Sequence, residues 1–369
     1  MTTELVVTGL GCCTALGSDV EGVLAAVGAC DEARERARPE ELADGLLHRA
    51  PISVLRVAGP DPGAMAQLRR PHPDRLSLLA IEASDRALRS AGWTNTARAN
   101  DRVALVVNTS FGPKETVERY LRSLLREGPG LVSPIAFSRS VANAVLGEIA
   151  RRHALTGPST LLMGSSVLGY AIDLVRADRA DLVVCVGVDT LGSYTAWTLR
   201  EAGMLGEGLV AGEASAAVIV ESATSARRRG VRPRAVVRAS FSGFCADAVQ
   251  RITDFGPQAI FDGMQAVLRD ADASPETVGT VVSLDNGHRP LARGEGEAIR
   301  RLFGERALRV LRPKRTLGEV FGASEVLGTL AATASLAAGH TGIRVGCLAN
   351  TGHLGGLFST TLLQRSRSS

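Results

Sequence analysis

The sequence predicts a layered α/β fold made of two similar halves, and three observations carry that expectation. Strand-like and helix-like segments alternate along the chain. A run of small residues leads into a strand once near the middle, where Gly212, Glu213, Ala214 and Ser215 precede Ala217 to Val220, and once near the end, where Gly355 and Gly356 precede Ser359 to Leu363. Between these lies an arginine-rich stretch, Ala223 to Arg234, punctuated by Gly230 and Pro233, which reads as the boundary between halves. The expected division is residues 1–222, a linker at 223–234, and residues 235–369, with mainly parallel sheets.

Element by element, Val6 to Leu10 reads as a buried strand. Residues 31–73 are charged and proline-containing, which predicts loops and short helices over the core. Leu76 to Ala91 and Ala142 to His153 repeat apolar residues at helical spacing, and Val103 to Val107 is an apolar run of strand length.

At 369 residues and 45% hydrophobic content the chain can bury a large core. No apolar run reaches the roughly 18 residues of a membrane span, and no basic and apolar leader precedes Leu5, so a soluble, cytoplasmic protein is expected. Six cysteines, at 12, 13, 30, 185, 245 and 347, form no CxxC pair and have no histidine at zinc-like spacing, which predicts reduced thiols. A net charge of +4 and 4% aromatic content argue against nucleic-acid binding. A basic face suits an acidic partner, although a solvated arginine-rich surface is the plainer reading.

VTGLGCCTALG at 7–17 has Thr14 where a dinucleotide-binding turn needs its third glycine, so that reading is set aside. The same stretch resembles the opening of β-ketoacyl synthases. Further segments resemble that family in the same order: SPIAFSRSVANAVLGEIARRHALTGPS at 133–159, ADLVVCVGVD at 180–189, GLVAGEASAAVIVE at 208–221, RPKRTLGEVFGASEVLG at 312–328 and ANTGHLGG at 349–356. The resemblance implies a thiolase-type αβαβα fold and a dimer interface within about 133–150. A departure follows Asp189, where the connection to the GEGAG-like strand is short.

What the resemblance implies for chemistry comes position by position. The family's nucleophilic cysteine stands seven residues after the serine of GPS, which here is Ser166. A serine there needs a neighbouring base, and a helix cap is the plainer reading of Ser165 and Ser166. Anchoring on EAIRRLFG places Leu284 at the first family histidine, with His288 four residues later as an exposed loop residue. Lys314 matches the family lysine and Glu319 takes the second histidine's place. In a condensing enzyme the histidines stabilise the enolate left by departing carbon dioxide. A carboxylate about 4 Å from it costs on the order of 4 kcal/mol at an effective dielectric near 20, roughly a thousandfold in rate, unless Glu319 pairs with Lys314 or Arg315. In the closing loop Leu354 replaces the gating phenylalanine and His353 the adjacent glycine, so His353 is expected near Ser166, with the N–H groups of Ser166 and Leu354 as an oxyanion hole. Leu354 and Phe137 are the residues expected to face the acyl substrate. Cys185 reads as a small core residue.

Three changed positions, Ser166, Leu284 and Glu319, imply a non-elongating subunit resembling chain-length factors. Such a subunit pairs with an active ketosynthase and shapes its acyl tunnel in polyketide, polyene or fatty-acid-type biosynthesis. No resident cofactor or metal is implied, since acyl groups arrive on the phosphopantetheine of an acyl carrier protein. The partner is an active ketosynthase or a second copy. Alternative readings are an acyltransferase or hydrolase acylated on Ser166, and a malonyl-carrier decarboxylase.

Overall fold

Apolar runs with buried residues at every position can form strands only where both sheet faces are covered, and the computed structural model shows such strands at Leu5–Thr14, Leu182–Asp189 and Gly346–Gly352. It describes residues 3–29, 40–42, 52–59, 73–94, 100–205, 208–249, 254–338 and 346–366. The strands are β1 (Leu5–Thr14), β2 (Glu40–Leu42), β3 (Ile52–Val54), β4 (Val103–Thr109), β5 (Ser159–Met163), β6 (Leu182–Asp189), β7 (Ala214–Ser222), β8 (Ala235–Phe244), β9 (Val278–Val282), β10 (Arg309–Leu311), β11 (Gly346–Gly352) and β12 (Leu357–Arg365). Ten of them hydrogen-bond in the order β10-β9-β11-β12-β8-β1-β7-β6-β4-β5. Each set of five runs third, second, fourth, fifth, first in its own chain order, so the topology is written twice. The two sets meet where β1 pairs with β8.

The expectation of mainly parallel sheets is corrected. The pairs β4–β5, β4–β6, β9–β10 and β9–β11 are parallel, whereas β1–β7, β6–β7, β1–β8, β11–β12 and β8–β12 are antiparallel. The connection from β11 to β12, residues 353–356, is too short for the crossover a parallel pair requires.

Strand alternation assigns the two faces. Ala104, Val106, Val183, Cys185, Ala216 and Val218 point to one apolar cluster, and Leu105, Val107, Val184, Val186, Ala217 and Ile219 to another. The first cluster also holds Val282, Cys347 and Leu363 from the second set of strands, and between them lie the helices Val167–Arg176 and Ser324–Ala337. These two helices are the middle layer of the thiolase-type arrangement. The helix Arg75–Ser90 covers the outer face of one half, and the helices Pro257–Asp270 and Arg289–Phe303 cover the other.

The predicted helices appear as Arg75–Ser90 and Ala144–His153. Asp74 caps the first, its carboxylate accepting from the Ser77 N–H at 2.7 Å. Within the predicted loop region, β2 and β3 pair antiparallel; most of residues 31–73 lies outside the described residues, as does Cys30. The stretch read as a linker opens with a helix, Ala223–Arg228, capped by Ser222. None of the described helices is long and apolar enough to cross a membrane.

Candidate functional site

Strand β5 ends in a turn whose geometry depends on glycine. Gly164 has φ of 64°, a left-handed conformation that side chains disfavour, and a Cβ there would stand 3.0 Å from the Leu354 carbonyl oxygen. The closing loop therefore packs directly against the turn that presents Ser166. Ser166 is the N-cap of the helix Val167–Arg176, its Oγ accepting from the Gly169 N–H at 3.0 Å. The same oxygen donates to Glu325 Oε1 at 2.6 Å. Capping and polar chemistry thus coincide at one hydroxyl.

Glu325 is the sole charge in the helix Ser324–Ala337, and it is buried. Its Oε2 accepts from the Val167 N–H at 2.6 Å, and its Oε1 accepts a second hydroxyl, that of Ser359, at 3.0 Å. A carboxylate placed at a helix N-terminus is favoured by the unpaired N–H groups there. Burial nevertheless raises the Glu325 pKa, only partly opposed by the bonds from Ser166, Val167 and Ser359.

His353 lies 2% exposed, with Nε2 3.3 Å from Ser359 Oγ. Ser359 spends its one proton on Glu325, so His353 Nε2 must be the donor and Nδ1 the unprotonated nitrogen, which has no partner among the described residues. His353 is therefore joined to Ser166 only through Ser359 and Glu325. Direct proton exchange with Ser166 is not what this geometry provides.

Burial, reinforced by the positive charge of Lys314, lowers the His353 pKa to about 3. Below about pH 6.5 the unfolded chain binds this proton and the folded chain does not, so stability falls as pH drops from about 6.5 towards about 3. A His353→Leu variant is expected to lose less stability than the parent between pH 6.5 and 4.5, by on the order of 2 kcal/mol, measured by urea unfolding at both pH values.

Glu319 is fully buried and fully engaged. Its Oε2 accepts from Lys314 Nζ at 3.0 Å and Asn286 Nδ2 at 2.9 Å, and its Oε1 from the Phe321 N–H at 3.1 Å and Ser324 Oγ at 3.0 Å. Pairing with Lys314 is as anticipated. Arg315 turns instead towards Asp285, 3.8 Å away.

Leu284 does not join these polar groups. It packs in the apolar cluster with Phe255, Met264 and Leu291, against which Leu354 also rests, and its N–H donates to the buried Glu295 at 3.0 Å. The polar members of its turn are the neighbours Asp285 and Asn286. His288 is half-buried and not exposed, because it caps the helix Arg289–Phe303 and its N–H donates to Asn286 Oδ1 at 3.2 Å. Phe137 is 58% exposed and its ring packs at a tilt against Tyr120, with centroids 5.7 Å apart, so within one chain it does not line the Ser166 site. Cys12, Cys13 and Cys185 are buried with pKa values raised by desolvation, which suits core packing.

The sequence reasoning passed over Glu325, Ser359 and Asn286. A lone acid inside a helix of otherwise small and apolar residues was the available signal for Glu325, since such a charge is buried only with partners. It also passed over Asp189, whose carboxylate accepts from Thr109 Oγ1 at 2.6 Å and from the N–H groups of Ser110, Phe111 and Gly322. These bonds tie the end of β4 to residues 321–323, and burial pushes the Asp189 pKa up to about 6.

Comparison with known proteins agrees with this architecture. Residues 2–226 match the family described as Beta-ketoacyl synthase, N-terminal domain, and residues 234–342 match Beta-ketoacyl synthase, C-terminal domain. Nodulation protein E of Rhizobium sp. (strain N33) is 28% identical over 253 residues, 63% of this chain and 62% of that protein. The chain thus spans about three-fifths of the length of that relative. Actinorhodin polyketide putative beta-ketoacyl synthase 2 of Streptomyces coelicolor is 28% identical over 292 residues, 73% of this chain and 70% of that protein. The ishigamide ketosynthase/chain length factor structure superposes with a TM-score of 0.86 at 20% identity, covering 100% of both chains. The structure titled AntDE:AntF, an acyl-carrier protein in complex with its ketosynthase, superposes with a TM-score of 0.83 at 16% identity, covering 99% of this chain and 100% of that one. With both family domains matched in order over most of its length, this chain belongs to the beta-ketoacyl synthase family.

Proposed function

We propose that this chain is a non-elongating, chain-length-factor-like subunit that pairs with an active, cysteine-bearing ketosynthase and helps shape the acyl tunnel in polyketide, polyene or fatty-acid-type biosynthesis. The observation that carries the reading is Glu319. At the place that the resemblance gives to a catalytic histidine stands a buried carboxylate held by four donors, among them Lys314. Lys314 offsets its charge, but an ionised carboxylate only accepts, so this position offers no donor to the enolate that decarboxylative condensation must form. Ser166 in place of cysteine, and an apolar Leu284, point the same way.

The pairing is supported by an exposed apolar surface. Leu125, Leu131, Ile135, Phe137 and Val141 are 84%, 71%, 49%, 58% and 46% exposed, and three of them lie in the 133–150 segment read as an interface. Strand β5, at the end of the sheet, offers an edge unpaired among the described residues, with Met163 57% exposed. Open edges and apolar surface of this kind are normally covered. The phosphopantetheine arm of a cytoplasmic acyl carrier protein would deliver the growing chain to the partner's cysteine. Two relatives point to the same setting, since one is titled a ketosynthase/chain length factor and another a ketosynthase with its acyl-carrier protein.

Coexpression with a cysteine-bearing ketosynthase is expected to yield a heterodimer in size-exclusion chromatography. A Phe137→Asp substitution is expected to weaken it by at least about 30-fold, as loss of a central aromatic anchor does. A homodimer that never exchanges with the ketosynthase and leaves its product length unchanged would refute the pairing.

A further inference from the structure

We infer that Ser166 and Glu325 form a nucleophile and base that take an acyl group from a thioester, an activity separate from chain elongation. It does not rest on the pairing proposed above, because every group it uses belongs to this one chain. The hydroxyl already donates to Glu325 Oε1 at 2.6 Å, within the reach required of a base that receives a serine proton. The base is itself oriented, by the Val167 N–H on one oxygen and the Ser359 hydroxyl on the other. Nucleophile, base and orienting group are the three parts of a serine acyl-transfer site, here with a glutamate in the base's role.

The remaining requirement is a place for the oxyanion. Among the described residues, neither the Ser166 N–H nor the Leu354 N–H is used in a hydrogen bond, and the Leu354 loop lies against the Gly164 turn. The Leu354 nitrogen lies 4.0 Å from where a Cβ on Gly164 would stand, and two such unused N–H groups are the kind of donors the intermediate needs. Ser166 itself is 9% exposed, and the loop beside its turn is half-buried at Leu354 and exposed at Gly355.

The step balances within these groups. Ser166 Oγ attacks the thioester carbonyl, forming the Oγ–C bond as its proton passes to Glu325 Oε1, and the carbonyl oxygen takes negative charge between the two N–H groups. Collapse breaks the C–S bond, and Glu325 returns the proton to the departing sulfur as a free thiol. Release by water repeats the cycle: Glu325 takes a proton from water, the new O–C bond forms, the C–Oγ bond breaks, and Ser166 recovers its proton. The neutral acid formed at Glu325 avoids placing two negative charges side by side, and burial favours that neutral form.

The test incubates the full chain alone with the N-acetylcysteamine thioester of octanoic acid, following thiol release and intact mass. The expected result is one octanoyl group on the peptide containing Ser166, absent in Ser166→Ala, and at least about 100-fold slower acylation in Glu325→Gln. A purely structural glutamate is separated by the Ser166→Cys background. A thiolate needs no glutamate base, so Glu325→Gln should slow Ser166→Cys less than tenfold. No acyl adduct, and thiol release no faster than in Ser166→Ala, would overturn the acyl-serine site. Equal slowing of the serine and cysteine forms by Glu325→Gln, or no slowing of the serine form, would overturn the role given to Glu325.

Discussion

A Glu319→Leu variant is expected to lose about 3–5 kcal/mol of stability, because it strands a buried lysine. Lys314 is 5% exposed and finds its carboxylate partner in Glu319, 3.0 Å away. The substitution also leaves Asn286, Ser324 and the Phe321 N–H without their acceptor. Removing both charges tells the pair apart from the site: Lys314→Met with Glu319→Leu is expected to recover at least half the loss, since a buried ion pair gains little over an apolar pair of similar volume. Urea unfolding of the four proteins in this double-mutant cycle measures the coupling. Equal stability of the single and double variants would mean that Glu319 serves only its neutral neighbours.

Glu213→Ala is expected to cost about 3 kcal/mol, and for a different reason. Glu213 is fully buried and gathers three chain segments: Arg56 at 3.1 Å, Arg75 at 2.7 Å, and the N–H groups of Val57 and Leu191 at 3.1 and 2.8 Å. The two arginines are 18% and 20% exposed, so water can take over part of their solvation and the ion pairs are discounted accordingly. The N–H groups have no such recourse, and a buried unsatisfied N–H costs about 1–3 kcal/mol. The loss should appear as a lower urea midpoint with an unchanged slope. Glu213→Gln keeps an acceptor for one N–H and should fall between the two.

Much of the fold was legible because burial on both sheet faces leaves a plain trace. Leu182 to Asp189 and Ala214 to Ser222 are apolar or small at nearly every step, and Leu76 to Leu88 repeats at helical spacing. Strand direction was not legible in the same way. Composition says that a strand is buried, and only the length of a connection, such as residues 353–356, forbids a parallel neighbour.

At the site, positions with a fixed offset from a motif were readable, as with Ser166 after Ser159 and Glu319 after Lys314. Glu325 and Ser359 were not, for they come from distant parts of the chain and meet Ser166 only once the middle-layer helices pack together. Leu284 shows how residue type decides what a motif position does. Its motif position was sensible, yet a leucine in a turn lined by Phe255 and Met264 gains more from the apolar cluster than from the polar site.

The most direct test is carbon dioxide release and chain extension from malonyl-acyl carrier protein by the purified chain alone. The predicted result is neither activity above that of the Ser166→Ala variant, with both appearing when a cysteine-bearing ketosynthase is added. Repeated extension of an acyl primer by this chain without a partner, abolished by Ser166→Ala, would contradict the proposal that it does not elongate.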